Sequence, residues 1–222
     1  MDLIVLNFHG LGDPHEAIPD DEKPYWLSHD AFGALLDRIW SDYDPKRFAF
    51  TFDDGNASDL GAAESLLAKG AKGSFFALAG RLGEDHYLSP ADLRELSRMG
   101  MTVGLHGRDH VDWRRCEPEQ WSSETTAARN ELEDALGAPI TEAAIPFGRY
   151  DRRVIGRLRR QGFDRIHTSD GGIAHAASSV WNRNTLRCDM SEAELVAILE
   201  GRWSARQRAK RALSSFVKRN LV

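Results

Sequence analysis

Phe48-Ala49-Phe50-Thr51-Phe52 runs without a break into Asp53-Asp54-Gly55-Asn56, and the fold is read outward from this junction. A short, nearly continuous apolar run that stops at turn residues is the pattern of a strand buried on both faces, as in a parallel sheet covered by helices. Similar runs stand at Leu3–His9, Ser74–Leu78, Thr102–Leu105, Ala143–Phe147 and Arg165–Ser169. Helical segments fall between them. Ala57–Lys69 stops at Gly70, Pro90–Met99 starts after Ser89 and stops at Gly100, Pro118–Leu136 ends at Gly137, and Asp151–Gln161 ends at Gly162. Proline in the first turn and glycine after the last is how helix ends are punctuated. The alternation predicts an α/β fold with parallel strands, either a doubly wound sheet or a (β/α) barrel. Both gather their chemistry where strands end at the C-terminal side. Residues 10–30, with Gly10, Gly12, Pro14, Pro19 and Pro24, read as a long loop over one face.

The chain has 222 residues, enough for one sizeable core. Its two cysteines, Cys116 and Cys188, form neither a disulfide framework nor a thiolate zinc knuckle, so a metal must be held by His and carboxylate. Residues 201–222 carry seven basic side chains and no acid, leaving 22 basic against 34 acidic side chains in the first 200 residues. So acidic a body repels phosphate backbones and argues against a nucleic-acid partner. We divide the chain into a catalytic region, 1–200, and a basic amphipathic helix, 201–222, belonging to the same domain. In that helix Ala209, Ala212, Leu213, Phe216, Val217 and Leu221 follow helical spacing. It either packs on the barrel or attaches peripherally to an anionic membrane. The first run, Met1–His9, is too short and too acidic at its start for a signal peptide. The expected location is cytoplasmic, at the inner face of the membrane if the terminal helix binds there.

Two loops carry the chemistry. Asp53 and Asp54 stand side by side at a strand end, an arrangement that costs repulsion unless a cation or a shared proton relieves it, although Asp-Asp-Gly-Asn is also good turn chemistry. The strand Thr102–Leu105 ends in His106-Gly107-Arg108-Asp109-His110, two histidines four apart. Together the loops offer two imidazoles and one or two carboxylates, the facial set that binds a divalent ion and leaves positions open for water.

Three stretches in order, Thr51-Phe52-Asp53-Asp54-Gly55, His106-Gly107-Arg108-Asp109-His110 and Pro146-Phe147-Gly148-Arg149-Tyr150, resemble the motifs of the polysaccharide deacetylases, metal-dependent enzymes that remove acetyl groups from chitin oligosaccharides, peptidoglycan and exopolysaccharides. The resemblance covers roughly residues 3–190. It implies an incomplete (β/α)7 barrel, Asp53 as general base, and Asp54, His106 and His110 as ligands of a divalent ion, zinc by ligand type. It also implies an oxyanion contact from the Phe147 backbone N–H, a loop shaped by Pro146 and Gly148, and an N-acetylated sugar or oligosaccharide as substrate. Tyr150 and Asp170 are added as candidate substrate-binding residues. The chemistry agrees, because amide hydrolysis needs an activated water, a stabilised oxyanion and a proton for the departing amine.

Three positions depart from the family's pattern. The arginine that pairs with the catalytic Asp is replaced by Ala144, leaving Arg149, Arg183 or Arg108 to substitute. The fourth motif is only loosely present in Asp164–Gly172 and lacks its Trp. The region of the final strand, Trp181–Asp189, contains no histidine to act as general acid. His9, which ends the first strand, is the favoured replacement, with His167 second. Rival readings are a catalytically weak carbohydrate-binding relative and an amidohydrolase or deformylase on another amide.

Overall fold

A computed structural model of the chain describes residues 1–16, 18–203, 209, 213 and 215–218. Its strands are β1 (Asp2–Phe8), β2 (Phe48–Phe52), β3 (Gly73–Ala77), β4 (Thr102–Leu105), β5 (Glu142–Ala144), β6 (Arg165–Thr168), β7 (Ala174–His175) and β8 (Val180–Thr185). Leaving out β7, the strands pair in parallel in the order β2-β3-β4-β5-β6-β8-β1. β1 then pairs with β2 through Ile4↔Phe48 to Phe8↔Phe52. That last pairing closes the ring, so the fold is a seven-stranded parallel barrel rather than a doubly wound sheet. β7 lies outside it, antiparallel to β1.

Helices α1 (His29–Asp42), α2 (Asp59–Ala68), α3 (Pro90–Arg98), α4 (Pro118–Trp121), α5 (Ala128–Leu136) and α6 (Arg152–Arg160) fill the crossovers, and α7 (Glu192–Glu200) follows β8. Among the described residues no helix lies between β6 and β8, which is where the barrel falls short of a full set of β/α units. α3 and α7 start with reciprocal capping boxes, Ser89 with Asp92 and Ser191 with Glu194. α1 buries Phe32, Leu35, Leu36 and Ile39, a three-to-four spacing that makes one apolar stripe.

Alternation along the strands separates two environments. Phe8, Phe52 and Phe75 face the helices, their rings stacked at 5.1 Å and 4.6 Å, with Phe32 of α1 edge-on to Phe8 at 5.2 Å. The opposite parity points into the barrel. There Asn7 and Thr51 are register partners and hydrogen-bonded at 2.8 Å, and Arg183 pairs in register with Val5. The inside of this barrel is therefore polar at its C-terminal end, directly beneath Asp53.

Three expectations need correction. The helix expected over Pro118–Leu136 is interrupted by a π-helical stretch, Ser122–Ala127. The strand expected over Ala143–Phe147 ends at Ala144, because Pro146–Gly148 forms a 3-10 turn in which Phe147 has φ 57°. The loop expected over 10–30 gives way to α1 at His29. Most of the C-terminal helix of the sequence reading lies outside the described residues. Of its apolar positions Leu213 and Phe216 are exposed, while Lys218 donates to Asp170 at 2.7 Å. Among the described residues no helix is long and apolar enough to cross a membrane.

Candidate metal and catalytic site

β2 ends at Phe52, and the next two residues turn their carboxylates in different directions. Asp53 keeps the inward parity of Thr51. Asp54 adopts φ 77°, a left-handed conformation rare outside glycine. Asp54 Oδ1 is buried without a hydrogen-bond partner and lies 3.5 Å from His106 Nε2 and 3.8 Å from His110 Nε2. Asp54, His106 and His110 each offer one ligand atom, all within 4.8 Å of one another. An orphaned carboxylate oxygen between two imidazole nitrogens fits a cation, since such an oxygen otherwise carries the full cost of desolvation. This donor set of one oxygen and two nitrogens suits a divalent ion that keeps sites for water.

His106 is oriented for that role. Its Nδ1 lies 2.9 Å from the Ala144 carbonyl, so the proton sits on Nδ1 and the Nε2 lone pair faces Asp54. Burial pushes His106 down to about 3, which keeps the ring neutral. His110 is likewise pushed down by burial. Burial and the neighbouring Asp53 raise Asp54 to about 6 against the opposing pull of His9.

The loop between the histidines is braced from below by Glu124, which the sequence reading missed. Its carboxylate accepts the backbone N–H groups of Arg108 and Asp109, each at 3.1 Å, and Trp113 Nε1 at 3.4 Å. The π-helical insertion carries Glu124 and aims it at the loop, a use of π-bulges common near functional sites. Gly107 is required here. It has φ 106°, and a Cβ would stand 2.7 Å from Glu124 Oε2.

Asp53 is fixed from the far side of the barrel. Arg183 of β8, wholly buried, donates from Nη1 to Oδ1 at 2.6 Å and from Nη2 to Oδ2 at 2.8 Å. Asn7 Nδ2 donates to Oδ2 at 3.0 Å and Arg183 Nη1 to Asn7 Oδ1 at 2.6 Å. Burial alone would raise Asp53, but the Arg183 guanidinium outweighs it and holds the carboxyl well below the ordinary carboxylate range. Of the three arginines considered as substitutes at Ala144, Arg183 is thus the one that reaches Asp53. Arg108 pairs with Glu131, and Arg149 lies over the Phe147 ring at 5.1 Å.

Above these groups opens a cavity of about 550 Å³. His9, Asp53, Asp54, His106, His110 and Phe147 line it, together with Ile18, Asp21, Glu22, Tyr25 and Trp26 from the loop after β1. Phe147 is 48% exposed and packs on His110 at 4.2 Å. Gly148 has φ 59°, and a Cβ there would meet Ser169 Cβ at 2.6 Å, so the turn that presents Phe147 needs glycine. Pro146 is buried beneath that turn. His9 follows β1 directly; its Nδ1 is buried without a partner, and its ring lies 5.0 Å from that of Tyr25.

Two placements differ from the sequence reading. His167, the second candidate for the acid, is inside the barrel but fully buried below the cavity. Its Nε2 is 2.9 Å from Glu142 Oε2, and its ring packs on Phe76 and Trp181. Tyr150 and Asp170 do not line the cavity. Buried Tyr150 donates its hydroxyl to Asp170, which also receives Lys218 and lines a separate cavity with Ser169 and Arg183.

The sequence profile of the polysaccharide deacetylases matches residues 41–166 of this chain. The chain belongs to the polysaccharide deacetylase family. YxkH of Bacillus subtilis (strain 168), named as a polysaccharide deacetylase, is 24% identical over 197 residues, covering 83% of this chain and 71% of its own. Among solved structures, the Streptococcus pyogenes deacetylase PplD in complex with acetate superposes with a TM-score of 0.74 at 19% identity, over 90% of this chain and 98% of that one. IcaB from Ammonifex degensii gives 0.72 at 22% identity, over 89% and 97%. These likenesses carry the barrel fold. The family assigns a hydrolase that deacetylates glycans and is generally metal-dependent.

Proposed function

We propose that this polysaccharide deacetylase hydrolyses the N-acetyl group of an acetylated sugar or glycan intermediate, releasing acetate, with one divalent ion, zinc by ligand type, held by Asp54, His106 and His110. The observation that carries the reading is the orphaned, buried Asp54 Oδ1 facing two neutral imidazoles, beside a second carboxylate oriented by Arg183 and Asn7. A bound divalent ion supplies a Lewis acid and a water of lowered pKa.

The chain's own groups do the rest. Asp53 stays ionised and uncoordinated, and its Oδ2 retains acceptor capacity on the side where His106 Nε2 stands 4.0 Å away. It takes the proton of the attacking water. The Phe147 backbone N–H, presented by its left-handed turn, stabilises the oxyanion. His9 gives its proton to the departing amine, because an imidazole is a group suited to that task and His9 reaches the cavity whereas His167 does not.

Intact Asp53 disfavours a pure binding protein, which has no use for an ionised base fixed by a buried arginine. The test is acetate release from N-acetylglucosamine oligosaccharides before and after chelation, with formate and longer acids assayed on alternative amides. Acetate release that stops on chelation and returns with zinc supports the reading. Release of another acid alone, or none under any metal, overturns it.

A further inference from the structure

The loop after β1 supplies Ile18, Asp21, Glu22, Tyr25 and Trp26 to the cavity wall, and its two ends are tied together at the neck. Leu27 N–H donates to the Gly10 carbonyl at 3.1 Å, and Gly12 N–H to the Leu27 carbonyl at 2.8 Å. Farther out, His15 of this loop stacks on His86 of the β3–α3 connection. Their ring centroids are 4.5 Å apart and the planes 9° from parallel. Trp26 and Tyr87 each meet the His15 ring edge-on at 5.9 Å.

Two details set this contact apart from ordinary packing. His15 Nε2 is buried without a hydrogen-bond partner. His86 sits at φ 71°, a strained conformation for a residue other than glycine, and strain of this kind persists where the surroundings enforce it. We propose that the stacked His15–His86 pair is a pH-sensitive clasp, holding this loop over the cavity while His15 is neutral and releasing it when His15 takes up a proton.

The surrounding charges favour the neutral state. Arg81, held by Glu84, adds positive potential from the same connection as His86, and Tyr87 offers no negative charge near neutrality. On the loop itself Asp13 and Glu16 are the neighbouring acids, and neither is paired with His15; His29 packs under Gly12 at the neck. Burial first, then His86 and Arg81, lower His15 from its ordinary value. A released loop lets His15 return toward that value and so binds more protons than the clasped one. The clasp is therefore complete above the ordinary histidine pKa and weakens as pH falls below it. Its consequence is a cavity that loses one wall in acid, although Asp53 and the metal-binding residues stand on other elements and His9 lies below the tied neck.

Amide exchange measured on the whole chain, corrected for intrinsic rates, tests this without relying on turnover. Between about pH 8 and about pH 5.5 the peptides spanning the loop and residues 79–88 are expected to lose protection by about fivefold. His15→Phe, which keeps a flat ring and cannot titrate, should abolish that change. His86→Asn, tolerant of the left-handed backbone, is the second variant and should do the same if His15→Phe does not fold. Protection of the loop that is independent of pH in the unmodified protein overturns the clasp, as does an undiminished change in the folded variants. If N-acetylglucosamine oligosaccharides are turned over, KM should rise in acid for the unmodified protein and stay level in His15→Phe. Absence of turnover refutes the proposed reaction but leaves the exchange result to decide the clasp.

Discussion

Replacing Arg183 by alanine strips Asp53 of both guanidinium hydrogen bonds and leaves Asn7 Nδ2 as its remaining donor, with the carboxylate only 3% exposed. Breaking a buried pair from one side costs about 3–5 kcal/mol, because the surviving charge stays desolvated. For a chain of this size that is a fall in Tm of roughly 6–20 °C. The sign with pH follows from the depressed carboxyl. Its contribution is fully present above the ordinary carboxylate value and is lost as pH falls through the lower folded value. The Tm gap between Arg183→Ala and the unmodified protein should thus be constant near neutrality and shrink only in strong acid. Activity should fall by about 10²–10⁴-fold, the range lost with a general base, since Asp53 loses the two guanidinium hydrogen bonds that fix its orientation. The decisive arm is the double variant Arg183→Ala with Ala144→Arg. Ala144 pairs in register with inward-facing His167, so an arginine there points into the barrel, where the deleted guanidinium leaves room. The double variant should recover most of the acetate release and Tm. A single variant with unaltered rate and pH profile would show that Arg183 does not govern Asp53. A double variant that melts like the unmodified protein yet stays inactive would refute the exchange of arginine between β5 and β8.

Other outcomes follow from the same geometry. His106→Ala and His110→Ala should each lose the bound ion and activity together, as read by metal analysis of the purified protein; full metal content in both would remove them from the ligand set. Asp53→Asn should keep the ion and lose most of the rate, and loss of the ion instead would make Asp53 a ligand. In the metal-free protein Asp54 is raised to about 6, so its neutral form contributes stability that is complete below the ordinary carboxylate value and vanishes as pH rises through about 6. Metal-free Tm should accordingly decline over that interval, and zinc affinity should strengthen over it because proton and cation compete for one oxygen. An affinity that does not change between about pH 5 and about pH 7 would contradict this. His9→Ala should retain the ion and lose the alkaline limb of the pH–rate profile, whereas an unchanged profile would clear His9 of the acid role.

How much of this was legible in the sequence depends on what each strand had to bury. β2, β3 and β4 present aromatic or aliphatic faces to the helices, and their near-continuous apolar runs read directly as strands. β8 reads Val-Trp-Asn-Arg-Asn-Thr, because its inward face lines a polar interior and supplies Arg183 to Asp53; the residue that makes it functional is the one that hides its pattern. α1 was missed for a related reason. Its stripe Phe32, Leu35, Leu36, Ile39 is regular, but it follows a Pro- and Gly-rich loop whose punctuation outweighed the periodicity. At the site, Asp53, Asp54, His106 and His110 are local in sequence, paired at two strand ends, and a motif can show them. Glu124 reaches Asp109 across 15 residues of chain and Asn7 reaches Asp53 across 46, and no short window contains both a side chain and what it holds; Arg183, 130 residues from Asp53, could be named only as one of three arginines. The general acid shows the same limit. Alternation alone could not place His167, since Ile166 suits core or barrel equally. The structure puts Ile166 in the helix-facing core and His167 inside but paired to Glu142, too deep to reach an amine. His9 reaches the cavity because it stands one residue past the end of β1, where the strand's parity no longer dictates direction and Gly10 frees the chain to turn. Position past a strand end, rather than position within one, distinguishes the histidine that reaches the cavity from the one buried beneath it.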